Sequence, residues 1–177
     1  GTGRVVILRN QGISTIAYGE VDLGHSDGAY YQLVNRKTGQ VIGTGGKSND
    51  ANIGNGDIPD VVLEDAGSAA VKDTQYWHVV TKADGAVTLL NKAGGRAAAI
   101  WTGNPTVGQR IGQWVDDTPA GLWNLIATGD GYYQLRAARN TDVFLTGATA
   151  GAALTLQNSS SDGSQEWRLI PQCAHRK

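Results

Sequence analysis

The chain has 177 residues with 15 basic and 16 acidic side chains, so its formal net charge is −1. This balance lacks the basic excess of nucleic-acid-binding proteins and gives no reason to expect an anionic membrane partner. No apolar run approaches the ~20 residues of a membrane span, and 25 glycines with five tryptophans favour many turns and short strands.

Residues 1–28 contain two strand-like runs, Arg4 to Leu8 and Ser14 to Val21, joined by a turn containing Gly12. Strand-like runs separated by turn residues are typical of β-hairpins. We therefore predict an N-terminal β extension over 1–28. The sequence leaves open whether it covers the following domain or is the end, or a linker, of a preceding one.

Three internal repeats follow, over 29–80, 85–127 and 131–170. Their closing tryptophans, Trp77, Trp123 and Trp167, lie 46 and 44 residues apart. Each repeat contains four short strands with turn residues between them, which is an all-β signal. The predicted first strands are 30–33, 87–90 and 132–135; the second strands are 41–43, 97–100 and 143–145; the third strands are 60–63, 109–114 and 153–156; the fourth strands carry the tryptophans.

The closing motifs Gln75-Tyr76-Trp77 and Gln165-Glu166-Trp167, with Gly121-Leu122-Trp123 in the same phase, resemble the QxW repeats of the ricin-B-type β-trefoil family. The resemblance covers 29–170 and implies a β-trefoil with pseudo-threefold symmetry in a domain of residues 29–177. It also implies that the three tryptophans form the core and that each Gln braces its own repeat by hydrogen bonds to backbone.

For function, the resemblance implies non-catalytic carbohydrate binding, without cofactor or metal, as a lectin or as a module of a secreted polysaccharide-active enzyme. The expected partner is a neutral oligosaccharide or polysaccharide, with an attached catalytic domain possible and an extracellular location. The alternative is a trefoil whose sugar sites have decayed and which serves domain packing or protein interaction. An independent enzyme is the third interpretation, but no catalytic constellation supports it.

The family's usual pocket is incomplete in all three repeats. The family places an Asp in the second strand, and we align that position with three residues without a carboxylate: Gly43, Ala99 and Leu145. The family's stacking aromatic, at the end of the third strand, aligns with Glu64, Trp114 and Gln157. Only repeat two retains the aromatic, so we expect at most one or two working sites.

Repeat two is the best candidate. We predict a carbohydrate site with Trp101 and Trp114 as stacking platforms, Asp116 or Asp117 as acceptor of sugar hydroxyls, and Asn104 on the loop after the second strand. The alternative is that Trp114 packs under its hairpin and the two aspartates form a solvated turn.

A polar loop in repeat one offers a weaker possibility. It carries several oxygen-bearing side chains, namely Asp50, Asn52, Asn55, Asp57 and Asp60. Such residues accept sugar hydroxyls or bind Ca²⁺. The loop lacks the spacing of an EF-hand, so we interpret it as a plain polar loop and predict no metal site.

Overall fold

The computed structural model describes residues 29–47, 59–67 and 73–172. The predicted N-terminal extension over 1–28 and most of the polar loop of repeat one lie outside these residues. Within them there are twelve β-strands, three short 3-10 turns and no α-helix; no helix there is long and apolar enough to cross a bilayer. The strands are β1 Tyr31–Asn35, β2 Val41–Gly43, β3 Val62–Glu64, β4 Trp77–Thr81, β5 Val87–Asn91, β6 Ala97–Ile100, β7 Ile111–Trp114, β8 Trp123–Ala127, β9 Tyr133–Ala137, β10 Val143–Thr146, β11 Thr155–Asn158 and β12 Trp167–Pro171.

Six strands close into a barrel. β1 pairs with β4, β4 with β5, β5 with β8, β8 with β9, β9 with β12 and β12 with β1, all antiparallel. The other six form three hairpins, β2–β3, β6–β7 and β10–β11, each joined to the barrel strand that precedes it. Every repeat thus contributes two barrel strands and one hairpin, and the predicted β-trefoil is confirmed.

The three closing tryptophans fill the middle of the molecule. Trp77, Trp123 and Trp167 are fully buried, and a fully buried leucine of each first strand packs in the same cluster. Burying one indole removes roughly 200 Å² from water, an upper bound of about 5 kcal/mol at ~25 cal/mol per Å². The prediction that these tryptophans are core residues, and not sugar platforms, is confirmed.

Each buried indole also makes one hydrogen bond that fixes the register of its repeat. The N–H of Trp77 donates to the carbonyl of Ile42 at 3.0 Å. The equivalent bonds run from Trp123 to Ala98 at 3.1 Å and from Trp167 to Leu145 at 3.3 Å. The second strand of every repeat is therefore anchored on the core through a single backbone carbonyl.

This register corrects one residue of the sequence alignment. Because Leu145 is equivalent to the indole acceptor Ile42, the residue equivalent to Gly43 in repeat three is Thr146, and the assignment to Leu145 was wrong by one position. The cause is a longer turn between the first two strands of repeat three. The paired residues Val34 and Val41 of repeat one are seven positions apart, whereas the pair Arg136 and Phe144 of repeat three is eight positions apart. Thr146 also lacks a carboxylate, so the pocket Asp is absent in all three repeats.

The glutamines of the closing motifs brace their repeats, as the family resemblance implied. Gln165 is fully buried; its carbonyl accepts the Ser160 N–H at 2.8 Å and its amide donates to the Asn158 carbonyl at 2.7 Å. Gln75 accepts the Gly67 N–H at 2.9 Å in the same manner. Repeat two has Gly121 at this position, so its turn before the fourth strand has no such brace.

Neighbouring repeats are held together by cations stacked on tyrosines. The Arg36 guanidinium, in the first turn of repeat one, lies 4.6 Å from the ring centre of Tyr132 in repeat three. Lys92 of repeat two lies 5.2 Å from the ring centre of Tyr30 in repeat one. Such contacts contribute about 0.5–1 kcal/mol at exposed sites. The turn after the first strand of repeat one thus contacts repeat three, and the same turn of repeat two contacts repeat one.

The turn before β12 carries a carboxylate with a strongly shifted pKa. Asp162 accepts the hydroxyl of Ser164 at 2.6 Å and its N–H at 2.9 Å, and Lys37 of repeat one lies 3.2 Å away. Mainly through the Ser164 hydrogen bonds, the pKa of Asp162 is held well below its usual range. Because these bonds favour the ionised form, they stabilise the folded state only while the carboxylate is charged.

Replacing Gln165 with Ala should lower the free energy of unfolding by about 2–3 kcal/mol, because the Ser160 N–H and the Asn158 carbonyl lose their partner. Chemical denaturation measures this. Gln134→Ala is the matched control: this half-buried side chain makes no hydrogen bond among the described residues, so its replacement should change stability by less than about 0.5 kcal/mol. Equal losses in the two variants would contradict the bracing role.

Acid should remove the contribution of the Asp162 carboxylate to the stability of the folded state. Its folded pKa lies below its unfolded value of about 3.9, so the stabilisation is complete above that pH and decreases as pH falls below it. Melting temperatures measured from about pH 2 to about pH 7 should fall less steeply on the acid side for Asp162→Asn than for the wild type. Parallel acid limbs would show that this carboxylate is not coupled to folding.

Candidate binding site

A groove of about 400 Å³ opens beside the hairpin of repeat two. Its wall comprises residue 100 at the end of β6, residues 101–103 after it, Trp114 at the end of β7, residues 118–120 before β8, and Arg139 from the turn between β9 and β10. We call this the repeat-two groove. It is mainly apolar, with a few polar groups, which is the usual character of small-ligand sites.

Both predicted platforms, Trp101 and Trp114, line this groove. Trp114 ends β7 and pairs with Ala97, in register with Glu64 and Gln157 of the other repeats. Trp101 follows β6, and its backbone N–H donates to the Arg110 carbonyl at 2.9 Å, which continues the hairpin ladder by one residue. The register confirms that Trp114, Glu64 and Gln157 occupy equivalent positions in the three repeats, and the match of this position to the family's aromatic stays a prediction.

Trp101 is held from one side by a cation. The Arg110 guanidinium lies 4.7 Å from the centre of its ring, and Arg110 Nε lies 3.3 Å from Asp60 Oδ1, within ion-pair distance although without hydrogen-bond geometry. Arg110 therefore covers one face of the indole, so at most the other face is open to a ligand. Asp60 is the one residue of the polar-loop cluster that the structure describes, and it is engaged in this ion pair.

The groove wall contains two polar atoms without a partner. Trp101 Nε1 and Thr118 Oγ1 are buried and make no hydrogen bond within the described residues. A buried polar group left unpaired costs about 1–3 kcal/mol. Both residues line the groove, so the two unpaired atoms belong to its wall.

Asp116 and Asp117 contact Lys82 and do not line the groove. Lys82 Nζ lies 2.9 Å from Asp117 Oδ1 and 3.1 Å from Asp116 Oδ2. The hydrogen bond to Asp117, followed by that to Asp116, raises the pKa of Lys82. These contacts hold the turn in which repeat two lacks the bracing glutamine. The role of Asp116 and Asp117 as acceptors of sugar hydroxyls stays a prediction. It requires that these carboxylates contact Lys82 and a ligand at the same time.

Asn104 is exposed and does not line the groove, although its loop does. The loop is held from repeat three: Arg139 donates to the Gly103 carbonyl, and Asn140 donates to the Pro105 carbonyl at 2.7 Å. The structure therefore brings Trp101 and Trp114 together and leaves Asn104, Asp116 and Asp117 outside the groove wall. The binding role of all five stays a prediction.

Sequence reasoning missed Thr118 and Arg139 in the groove wall. Thr118 lies in the turn after Asp117, so its proximity to the candidate residues was visible. Arg139 belongs to another repeat and lies 25 residues beyond Trp114. No local pattern connects it to repeat two, and only the threefold closure of the barrel brings it there.

In repeat one, a carboxylate lies where the family's Asp is missing. A Cβ atom at Gly43 would overlap the Glu64 carboxylate, so the Glu64 side chain occupies the space beside this glycine. Glu64 accepts the Gly45 N–H at 3.0 Å and the Gln75 amide at 2.7 Å. The third strand of repeat one thus places the Glu64 carboxylate beside Gly43 of the second strand. Within the described residues, no group of three His, Cys, Asp or Glu side chains is arranged to hold a metal.

Comparison with known proteins agrees with this architecture. The family model for the ricin-type β-trefoil lectin domain-like proteins matches residues 73–157. The predicted resemblance is confirmed: the chain has the ricin B-like lectin fold. The sequence has no match among the curated proteins.

Three solved structures illustrate the similarity. The designed threefold-symmetric protein ThreeFoil has 25% identity and a TM-score of 0.68, with 80% of this chain and 97% of that one covered. An exo-β-1,3-galactanase from Clostridium thermocellum has 21% identity and a TM-score of 0.67, with 82% and 30% covered. The ricin B-like lectin of Macrolepiota procera, in complex with lactose, has 19% identity and a TM-score of 0.64, with 86% and 99% covered. This chain matches only 30% of the galactanase.

Asp117 has a positive φ of 66°, a conformation that glycine adopts without steric cost. Asp117→Ala should therefore be less stable than Asp117→Gly by about 1 kcal/mol, as measured by chemical denaturation. Both variants lose the contact with Lys82, so their difference isolates the backbone. An alanine variant as stable as the glycine variant would show that this turn does not need the left-handed conformation.

Proposed function

We propose that this chain is a non-catalytic carbohydrate-binding domain whose working site is the repeat-two groove. The observation that supports this most is the presence of Trp101 and Trp114 in one groove of a ricin B-like lectin fold. Aromatic rings bury large apolar area at defined geometry, which suits the C–H face of a sugar ring. The groove supplies two rings from opposite ends of one rigid hairpin.

The polar groups of the groove match sugar hydroxyls. The indole N–H of Trp101 is a donor without a partner, and the Thr118 hydroxyl is both donor and acceptor. A hydroxyl satisfies either kind of group because it donates and accepts. The arrangement therefore supports a saccharide rather than a purely apolar ligand.

One working site, or at most two, is the number that the comparison of repeats supports. The equivalents of Trp114 are Glu64 and Gln157, so repeats one and three have no ring at the stacking position. Repeat one has the Glu64 carboxylate, which keeps it as the second possibility. We place repeat three last, because it has neither ring nor carboxylate at these positions.

We further propose that the domain serves a secreted polysaccharide-active enzyme as its binding module. A similar fold accounts for part of a larger chain in the C. thermocellum galactanase. Binding at one site raises the local concentration of an attached enzyme on a polymer, so weak affinity is sufficient. The expectation that the sugar is neutral rests only on the charge balance of the whole chain.

A specific observation also favours the alternative, a trefoil with decayed sites. The pocket Asp of the second strand is missing in every repeat, and the candidate acceptors Asp116 and Asp117 are engaged by Lys82. Such a domain would serve domain packing or protein interaction. Binding measurements distinguish the two functions directly.

Trp114→Ala and Trp101→Ala should each weaken saccharide binding by about tenfold, because loss of a stacked ring costs about 1–2 kcal/mol. A glycan array identifies the ligand, and isothermal titration with that ligand measures the affinities. Tyr132→Ala is the matched control, a partly buried aromatic outside the groove, and it should bind as the wild type does.

The double variant Asp116→Asn, Asp117→Asn tests the predicted acceptors in the same titration. A tenfold loss would assign them to the site, and unchanged affinity would confine them to the turn. No binding of the wild type to any glycan would reject the carbohydrate function in favour of the decayed trefoil. Unchanged binding by Trp114→Ala would move the site away from repeat two.

A further inference from the structure

The repeat-two groove has an unbalanced charge. Arg139 is the one charged residue in its wall, and no Asp or Glu lines it. Among the described residues, no carboxylate lies within ion-pair distance of Arg139, whereas Arg36 and Lys82 each have two and Lys92 has one. The neutrality of the whole chain therefore does not extend to this groove.

Arg139 is held in place on the groove wall. Its guanidinium donates one hydrogen bond to the Gly103 carbonyl, and the next residue, Asn140, donates to the Pro105 carbonyl. These bonds attach the turn of repeat three to the loop that follows Trp101. The Arg139 guanidinium is thus positioned beside Trp101 and Trp114, and the neutral carbonyl that it contacts does not cancel its charge.

The guanidinium retains donors for a ligand. It has five N–H groups in a planar fork, and the structure assigns one hydrogen bond, from Nη2 to Gly103. A planar fork matches the spacing of two oxygens in a carboxylate or a sulfate, and such bonds are shorter and stronger than neutral ones. The second nearby guanidinium, Arg110, is compensated by Asp60 and lies outside the groove wall.

We propose that the saccharide bound in the repeat-two groove carries an anionic substituent, a uronic-acid carboxylate or a sulfate ester, that pairs with Arg139. This inference rests on the proposed carbohydrate function and replaces the expected neutral sugar with an acidic one. The sugar ring lies against the tryptophans, and its anionic group binds Arg139 of repeat three. Affinity for the ring and selectivity for its charge thus come from different repeats.

The test uses matched oligosaccharides of galacto, gluco and manno configuration, each in neutral, uronic-acid and sulfated form. Isothermal titration with the whole chain should give about tenfold tighter binding of one acidic form than of its neutral counterpart, because hydrogen bonds to charged groups are stronger than neutral ones. The preference should shrink at high salt. The form preferred distinguishes carboxylate from sulfate.

Arg139→Gln should remove this preference, so that the variant binds the acidic form no more tightly than it binds the neutral form. Arg139→Lys should keep part of the preference, because the charge remains but the fork is lost. Lys47→Gln is the charge-matched control, an exposed cation outside the groove wall, and it should behave as the wild type. A merely structural Arg139 would instead lower the affinity for neutral and acidic forms alike.

Equal binding of neutral and acidic forms by the wild type, sensitive to Trp114→Ala, would overturn the anionic ligand and leave the carbohydrate function standing. An acidic preference that survives Arg139→Gln would overturn the assignment to Arg139. No binding of any saccharide would reject the carbohydrate function itself, and with it this inference.

Discussion

The hydrogen bond from each buried indole to the carbonyl of a second strand is the constraint on which the rest of the structure depends. The indole belongs to a barrel strand and its acceptor to a hairpin strand, so this bond joins the two layers of every repeat. Because the indole is fully buried, no water replaces a lost acceptor. The bond therefore sets the register of β6 on the barrel, and with it the placement of Trp114 through the pairing of β6 with β7.

The same scaffold permits each repeat to stabilise its turn differently. Repeats one and three use a buried glutamine before the closing tryptophan, and repeat two replaces it with Gly121 and the contacts of Lys82 with two aspartates. A glycine at this position leaves the turn in front of β8 without a side-chain brace from the core. The groove wall includes this turn, so the site lies where repeat two departs from the other two repeats.

What the sequence predicted, and what it missed, follows from the distance over which the residues interact. The spacing of Trp77, Trp123 and Trp167 predicted the fold, because the repeat itself encodes the long-range contacts. Trp101 and Trp114 were placed in one site because they share a hairpin. The contact of Lys82 with Asp116 crosses 34 residues, and that of Arg139 with Gly103 crosses 36. Neither pair follows a local period, so neither could be predicted.

Arg139 shows why a site in this fold is not the property of a single repeat. Its equivalent in repeat one, Lys37, contacts Asp162 of repeat three, just as Arg139 contacts the Gly103 loop of repeat two. In the threefold arrangement, the first turn of one repeat therefore reaches the loops of the repeat before it. A substitution in that turn changes the charge beside a neighbouring groove without touching the hairpin that carries the rings. Selectivity for the charge of a ligand can thus diverge while the aromatic platform and the core tryptophans stay unchanged.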